Sequence, residues 1–248
     1  GGDADKAVEL LRAKGIAKAE KRAGRTASEG QIVSAVEGDG SAASLIELNS
    51  ETDFVARNED FAKLANSVAK QVLSDRALDG VVPDASSGHL NAQKWLGGNQ
   101  DVEQVIKDAV GRMGENIVVR RYARFATTGV LGIYIHHNGK VAAMVDVVGG
   151  KGPEALAAAK SIAEHVAAGV PSVALGISKE EIPAEVLDRE RRIFEEQAKQ
   201  SGKPDNIVQK MVGGRIEKYY KEVTLLEQPW IRDDTLTIRK VLEDASAK

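Results

Sequence analysis

At 248 residues the chain is long enough to bury a sizeable core, as one large domain or two modest ones. Its formal net charge of −3 excludes an overall basic nucleic-acid binder, and the absence of cysteine excludes a disulfide framework, a thiolate metal site and a cysteine nucleophile. With no apolar run of about eighteen residues and no charged-then-apolar signal layout, a cytoplasmic protein with no membrane span is expected.

The opening stretch, Asp3 to Lys14, reads as a short amphipathic helix: Ala7, Leu10 and Leu11 share a face and Gly15 stops it. One short helix cannot make its own core, so it is expected either to dock on the body or to be the remnant of an N-terminal helical module. The basic, weakly periodic IAKAEKRAGRTASEG follows as a linker, and residues 1–28 form this first segment.

From Gly30 the pattern changes to period two. QIVSAVEGDGSAASLIELN gives strand, Gly-Asp-Gly turn and strand, a β-hairpin. Asn58 is the expected N-cap of a helix on which Phe61, Leu64, Ala65, Val68 and Val72 recur at helical spacing. Residues 76 to 101, rich in Gly, Asp, Ser and Asn, read as a surface excursion. DVEQVIKDAVGRMG is a helix closing at Gly114, and NIVVRRYARF is a strand. Residues 29–125 make the first core subdomain.

The order then repeats over 126–248. TGVLGIYIHHNGKVAAMVDVVGG is again strand, turn and strand, with Asn138-Gly139 as a strong hairpin signal. Pro153 to Ala168 is again a helix. Two hairpin-plus-helix units in tandem predict an α+β fold of two related subdomains. The charged segments IPAEVLDRERRIFEEQAKQ and PDNIVQKMVGGRIEKYYKE predict a protruding antiparallel helical hairpin over about 183–221. Val186, Ile193 and Phe194 are among its sparse apolar positions. An extended segment and a last helix end the chain.

Enzyme signatures are mostly lacking. VVGGKGPEA follows a strand and opens a helix but lacks the GxxxxGK[ST] spacing that wraps phosphates. The adjacent His136 and His137 are expected on opposite faces of a strand, unable to share an ion. No HExxH and no GxSxG occurs, so neither a metal nor a cofactor is expected. Two residues stand out. His165 lies off the main apolar stripe of its helix (Leu156, Ala159, Ala163, Val166), beside Ala158, Ser161 and Ala168. That face suits either a second packing layer with a satisfied histidine or a partner. Phe54 sits in a polar, acidic turn, as a loop aromatic folded back over the hairpin or as an exposed interface anchor. Asp53 beside it either caps the turn or offers charge to a partner.

LIELNSETDFVARNEDF resembles the signature of bacterial elongation factor Ts, the nucleotide exchange factor for elongation factor Tu. GRTASEG, MGENIVVRR, IAEHVAAGVP, SGKP and MVGGRIEKYYKEVTLLEQPW follow in the family's order, over roughly Asp3 to Asp244. The resemblance implies an exchange factor, not an enzyme, that binds elongation factor Tu·GDP. By the Thr-Asp-Phe-Val match, Thr52, Asp53, Phe54 and Val55 would dislodge magnesium from the partner's nucleotide site. By the His-Val-Ala-Ala match, His165 would press near the partner's phosphate loop, on the same face. The family's opening module with its Thr-Gly-Ala-Gly-like loop, and its aromatic β-segment after the last helix, are not matched, nor is 76–101. Two other functions remain open: acid–base chemistry by Asp53 or Glu51 with His165, and RNA or ribosome binding by the basic stretch Lys18 to Arg25. No direct nucleic-acid binding is expected under the first reading.

Overall fold

The computed structural model describes residues 3, 6, 15, 17, 19–86, 88–200 and 202–246. The helix expected over Asp3–Lys14 lies outside the described residues, Asp3 and Lys6 excepted. Helices and strands mix along the chain as an α+β fold. The chain divides into two compact units: the described residues up to Leu131 with Ile135–Gly149, and Gly132–Tyr134 with those from Gly150 onward.

In the first unit β1 (Glu29–Val36) and β2 (Ala42–Ser50) form the expected antiparallel hairpin. Two short and one long helix follow β2 and the next strand: α1 (Asp53–Ala56), α2 (Glu59–Ser74) and, after β3 (Gly80–Val82), α3 (His89–Ala92). α4 (Val102–Met113) then leads into β4 (Val118–Ala126). The sheet order is β1-β2-β4-β3, with the β2–β4 and β3–β4 pairs also antiparallel. Alternation places Ile46 and Leu48 of β2 on one face, and both are buried in one core with Phe61, Leu64, Ala65, Val68 and Val72 of α2. These are the five positions that the helical period singles out. Asn58 caps α2 by accepting from the Asp60 N–H at 2.7 Å.

Residues 76–101 run mostly exposed, as their composition predicts, but are also anchored: they add β3 to the edge of the sheet and bury Leu78, Ala85 and Leu90 in the same core. The buried Arg124 of β4 fastens this segment: its Nε donates to the Leu73 carbonyl at the end of α2, at 2.8 Å, and its Nη1 pairs with Asp79. A cation set on the last carbonyls of a helix is favoured by the helix dipole.

β5 (Val130–Ile135) and β6 (Ala142–Val147) make a two-stranded sheet joined through Asn138-Gly139. In the second unit, Gly132 of β5 packs directly on α5 (Gly152–Ala168). A Cβ there would lie 2.1 Å from the Ala159 carbonyl carbon, so only glycine allows the approach. α6 (Ala184–Lys199) and α7 (Asp205–Val223) form the helical hairpin, with a small core of Ala198, Val208, Val212 and Ile216. Arg215 lies over the Phe194 ring, 5.6 Å from its centroid. The closing extended segment is a hairpin of β7 (Pro229–Trp230) and β8 (Asp233–Thr237), followed by α8 (Ile238–Ser246), which packs on α5.

Candidate functional site

Ser50 ends β2 with its hydroxyl donating to the Thr52 carbonyl at 2.9 Å. Thr52 is then the N-cap of α1, a single helical turn. The Ala56 N–H bonds the Thr52 carbonyl at 3.2 Å, and the Arg57 N–H bonds the Asp53 carbonyl at 3.1 Å. The Gln31 side-chain amide of β1 donates to the Ala56 carbonyl. Within this turn Ala56 is buried and Val55 packs against the core. Phe54 points the other way and is 83% exposed, the most exposed large apolar side chain among the described residues. The ring is not folded over the hairpin. Asp53 pairs with Arg57 at 3.0 Å, one turn on, at the surface.

Two carboxylates clasp the turn to the segment after α4. The Thr52 N–H and the Thr52 hydroxyl both donate to the Glu115 carboxylate, at 2.9 and 2.6 Å. In the reverse direction Glu51 accepts from the Asn116 N–H at 2.7 Å. Glu51 also lies 3.6 Å from the Arg25 guanidinium, and the Asn116 side-chain amide donates to the Arg25 carbonyl at 2.7 Å. Gly114 sets up the crossing. It ends α4 in the left-handed conformation (φ 81°), so the chain reverses there and Glu115 faces the turn. Within MGEN, a helix-stopping glycine followed by a carboxylate is the signal in the sequence for Glu115, whose role only the fold reveals.

His165 belongs to the second unit and lies on the buried side of α5, 1% exposed. Its Nδ1 accepts from the Ile231 N–H at 3.3 Å, which leaves the ring proton on Nε2 to donate to Gln228 Oε1 at 2.9 Å. The Gln228 amide nitrogen donates in turn to the Ser172 carbonyl at 2.9 Å and to the Glu222 carbonyl at 2.6 Å. Every polar atom of the two side chains is used. Expected to press on a partner, the imidazole presents no surface to one in this arrangement; it is the satisfied histidine of a second packing layer. Gln228, which completes that layer, was not singled out from sequence.

Of the residues weighed for acid–base chemistry, His165 is buried with both ring nitrogens bonded, Glu51 accepts from the Asn116 N–H and lies 3.6 Å from Arg25, and Asp53 pairs with Arg57 at the surface. The first unit holds a cleft of about 680 Å³ beside Arg124 and one of about 450 Å³ between Ala19, Ile106 and Ile117. Neither is lined by Glu51 or Asp53. Of the basic stretch, Lys18 lies outside the described residues, Lys21 and Arg25 are exposed and Arg22 is half-buried, with the Arg25 guanidinium 3.6 Å from Glu51. Among the described residues no group of three or more His, Cys, Asp or Glu is placed to hold a metal ion. The placement expected for His136 and His137 needs correcting. β5 ends at Ile135, so strand alternation no longer separates them, and their rings lie 4.1 Å apart at a tilt of 53°. No helix among the described residues is long and apolar enough to cross a membrane.

Comparison with known proteins adds an independent line. The family model described as Elongation factor TS matches residues 51–248. Elongation factor Ts of Thioalkalivibrio sulfidiphilus is 44% identical over 249 residues, covering 100% of this chain and 79% of that protein. Elongation factor Ts of Methylococcus capsulatus is 42% identical over 248 residues (100% and 79%), and that of Aquifex aeolicus 41% over 249 residues (99% and 83%).

Proposed function

The chain belongs to the elongation factor Ts family, a factor of translation elongation, and from that premise we propose that it accelerates GDP release from elongation factor Tu by inserting Phe54. The observation that carries the proposal is the exposure of that ring on a turn that Glu115 anchors at Thr52. A free benzyl group costs water contact in the lone chain; its apolar surroundings belong to another protein.

Bound GDP is held by backbone N–H groups around its phosphates and by a magnesium ion bridging phosphate oxygens to protein. An exchange factor makes and breaks no covalent bond in this process. It binds better to a partner conformation in which those contacts are lost, and nucleotide therefore weakens its binding by the same ratio. Thr52, Asp53, Phe54 and Val55 form the segment that displaces the elements holding magnesium. Phe54 is the wedge and Asp53 brings negative charge beside it. Thr52 and Val55 fix the turn from the cap and from the core. His165 enters as the support of a second contact surface, toward the partner's phosphate loop, by holding Gln228 and Ile231 against the end of α5.

Fully burying a Phe side chain contributes about 1.5–3 kcal/mol. At about 1.4 kcal/mol per tenfold change, Phe54→Ala should slow catalysed release roughly ten- to a hundredfold. The test is release of a fluorescent GDP analogue from elongation factor Tu, with wild-type chain and with Phe54→Ala. No acceleration by the wild-type chain rejects the function. Unchanged acceleration by the variant rejects the wedge.

A further inference from the structure

We propose that Glu115 is a positioning residue for exchange: by gripping Thr52 it presets the turn that carries Phe54, a role that rests on the reading of Phe54 as the wedge. The difficulty it answers is physical. A helix of one turn is unstable by itself, since fixing its first residues yields too few hydrogen bonds to offset the lost freedom. α1 has four residues, and its own cap is weak, with the Thr52 hydroxyl 3.4 Å from the Val55 N–H. Left to local forces, the turn would fray and Phe54 would sample many directions.

The Glu115 carboxylate supplies what the turn lacks. It accepts both the N–H and the hydroxyl of Thr52, and hydrogen bonds to an ionised acceptor are roughly twice as strong as neutral ones. The grip is also stiff. Glu115 follows the left-handed stop of α4, whose Ala109 and Val110 are buried in the core, and the adjacent Asn116 N–H is held by Glu51. The two chain segments thus hold each other, each by a carboxylate on the other's backbone. With the Ser50 and Gln31 bonds to the carbonyls of Thr52 and Ala56, this clasp and the inward Val55 define where Phe54 points. Preordering a binding element lowers the entropy lost when it docks. The effect belongs in the concentration of factor needed, because the docked ring makes the same contacts whether or not it was ordered beforehand.

Two measurements test this, one of them without the partner. In the free chain, amide hydrogen exchange of Ala56 and Arg57, which bond to Thr52 and Asp53, should speed up at least tenfold in Glu115→Ala. It should return most of the way in Glu115→Gln, whose carboxamide oxygen still accepts the Thr52 N–H; protection in α2 should not change. In fluorescent-GDP release from elongation factor Tu, Glu115→Ala should raise the half-saturating concentration about tenfold and leave the maximal rate within about twofold. Added to Phe54→Ala it should cost less than about twofold more, since a residue acting through Phe54 has nothing left to act on. Unchanged Ala56 and Arg57 protection, or full additivity with Phe54→Ala, overturns the proposal. If Phe54→Ala alone exchanges like wild type, the wedge reading falls, and amide exchange then shows whether the clasp still orders the turn. Should Glu115→Ala fail to fold, Glu115→Gln, which keeps an acceptor for the Thr52 N–H and loses the charge, should show the same pattern reduced to about threefold.

Discussion

At Thr52–Val55 a carboxylate from 63 residues away holds the backbone and the aromatic side chain stays outside. At His165 the side chain itself is held, by Gln228 at the same separation in sequence, and it lies inside. Both are long-range hydrogen-bonded arrangements, and family resemblance implies partner contact for both. What separates them is where the unsatisfied surface remains. The turn is held by Glu115 and leaves 83% of a benzyl group uncovered. In the histidine layer His165 and Gln228 are both buried. On the proposed reading the first region meets another molecule, and the second keeps a surface in place.

The largest expected effect tests the buried side of this contrast. His165→Ala would strand the Ile231 N–H and Gln228 Oε1 and open a cavity on α5. Each stranded buried group costs about 1–3 kcal/mol, so a total near 3 kcal/mol is expected, read as a lower urea midpoint with the slope retained. A loss under about 1 kcal/mol would mean that the imidazole is dispensable to the fold and that its role is direct. Exchange activity of the folded fraction should fall less than in Phe54→Ala.

How far each region was legible follows from the range of the forces that build it. The period of Phe61, Leu64, Val68 and Val72 is local and dictates the buried face of α2 without reference to any other element. The exposure of Phe54 is not local. A polar turn is compatible with a ring folded back or a ring held out, and the deciding partner, Glu115, is set by how α4 returns to the sheet. The small residues around His165 suit a packed layer and a partner face alike, and Gln228, which decides between them, comes from the segment just before β7, outside any window of sequence around His165. For residues 76–101, polar composition outweighed three scattered apolar side chains, and only the pairing of β3 with the outer edge of β4 shows why those are buried. His136 and His137 misled in the opposite way, through a strand rule applied one residue past the strand's end.

A smaller effect separates neighbours on the same turn. Val55 packs into the first unit's core while Phe54 does not. Val55→Ala removes two partly buried methyl groups and should cost about 1 kcal/mol in urea unfolding. It should also loosen the footing of the turn, so a modest loss of exchange is expected alongside. Stability unchanged in this variant would show that the clasp alone, without the core contact, fixes the turn.

The smallest expected effect on stability carries the most weight. Phe54→Ala should leave the urea midpoint within about 0.5 kcal/mol of wild type, because surface substitutions away from caps, cores and buried polar groups lie in that range. Replacing an exposed ring by a methyl group also lifts helix propensity slightly in α1, which opposes any residual loss. The same substitution is expected to slow GDP release roughly ten- to a hundredfold. His165→Ala should show the reverse ratio, a large stability loss with a lesser functional one. If Phe54→Ala instead lowered the midpoint by 2 kcal/mol or more, the ring would be part of the fold in solution. The contrast between an outward-facing contact and an inward-facing support would then collapse into two cores.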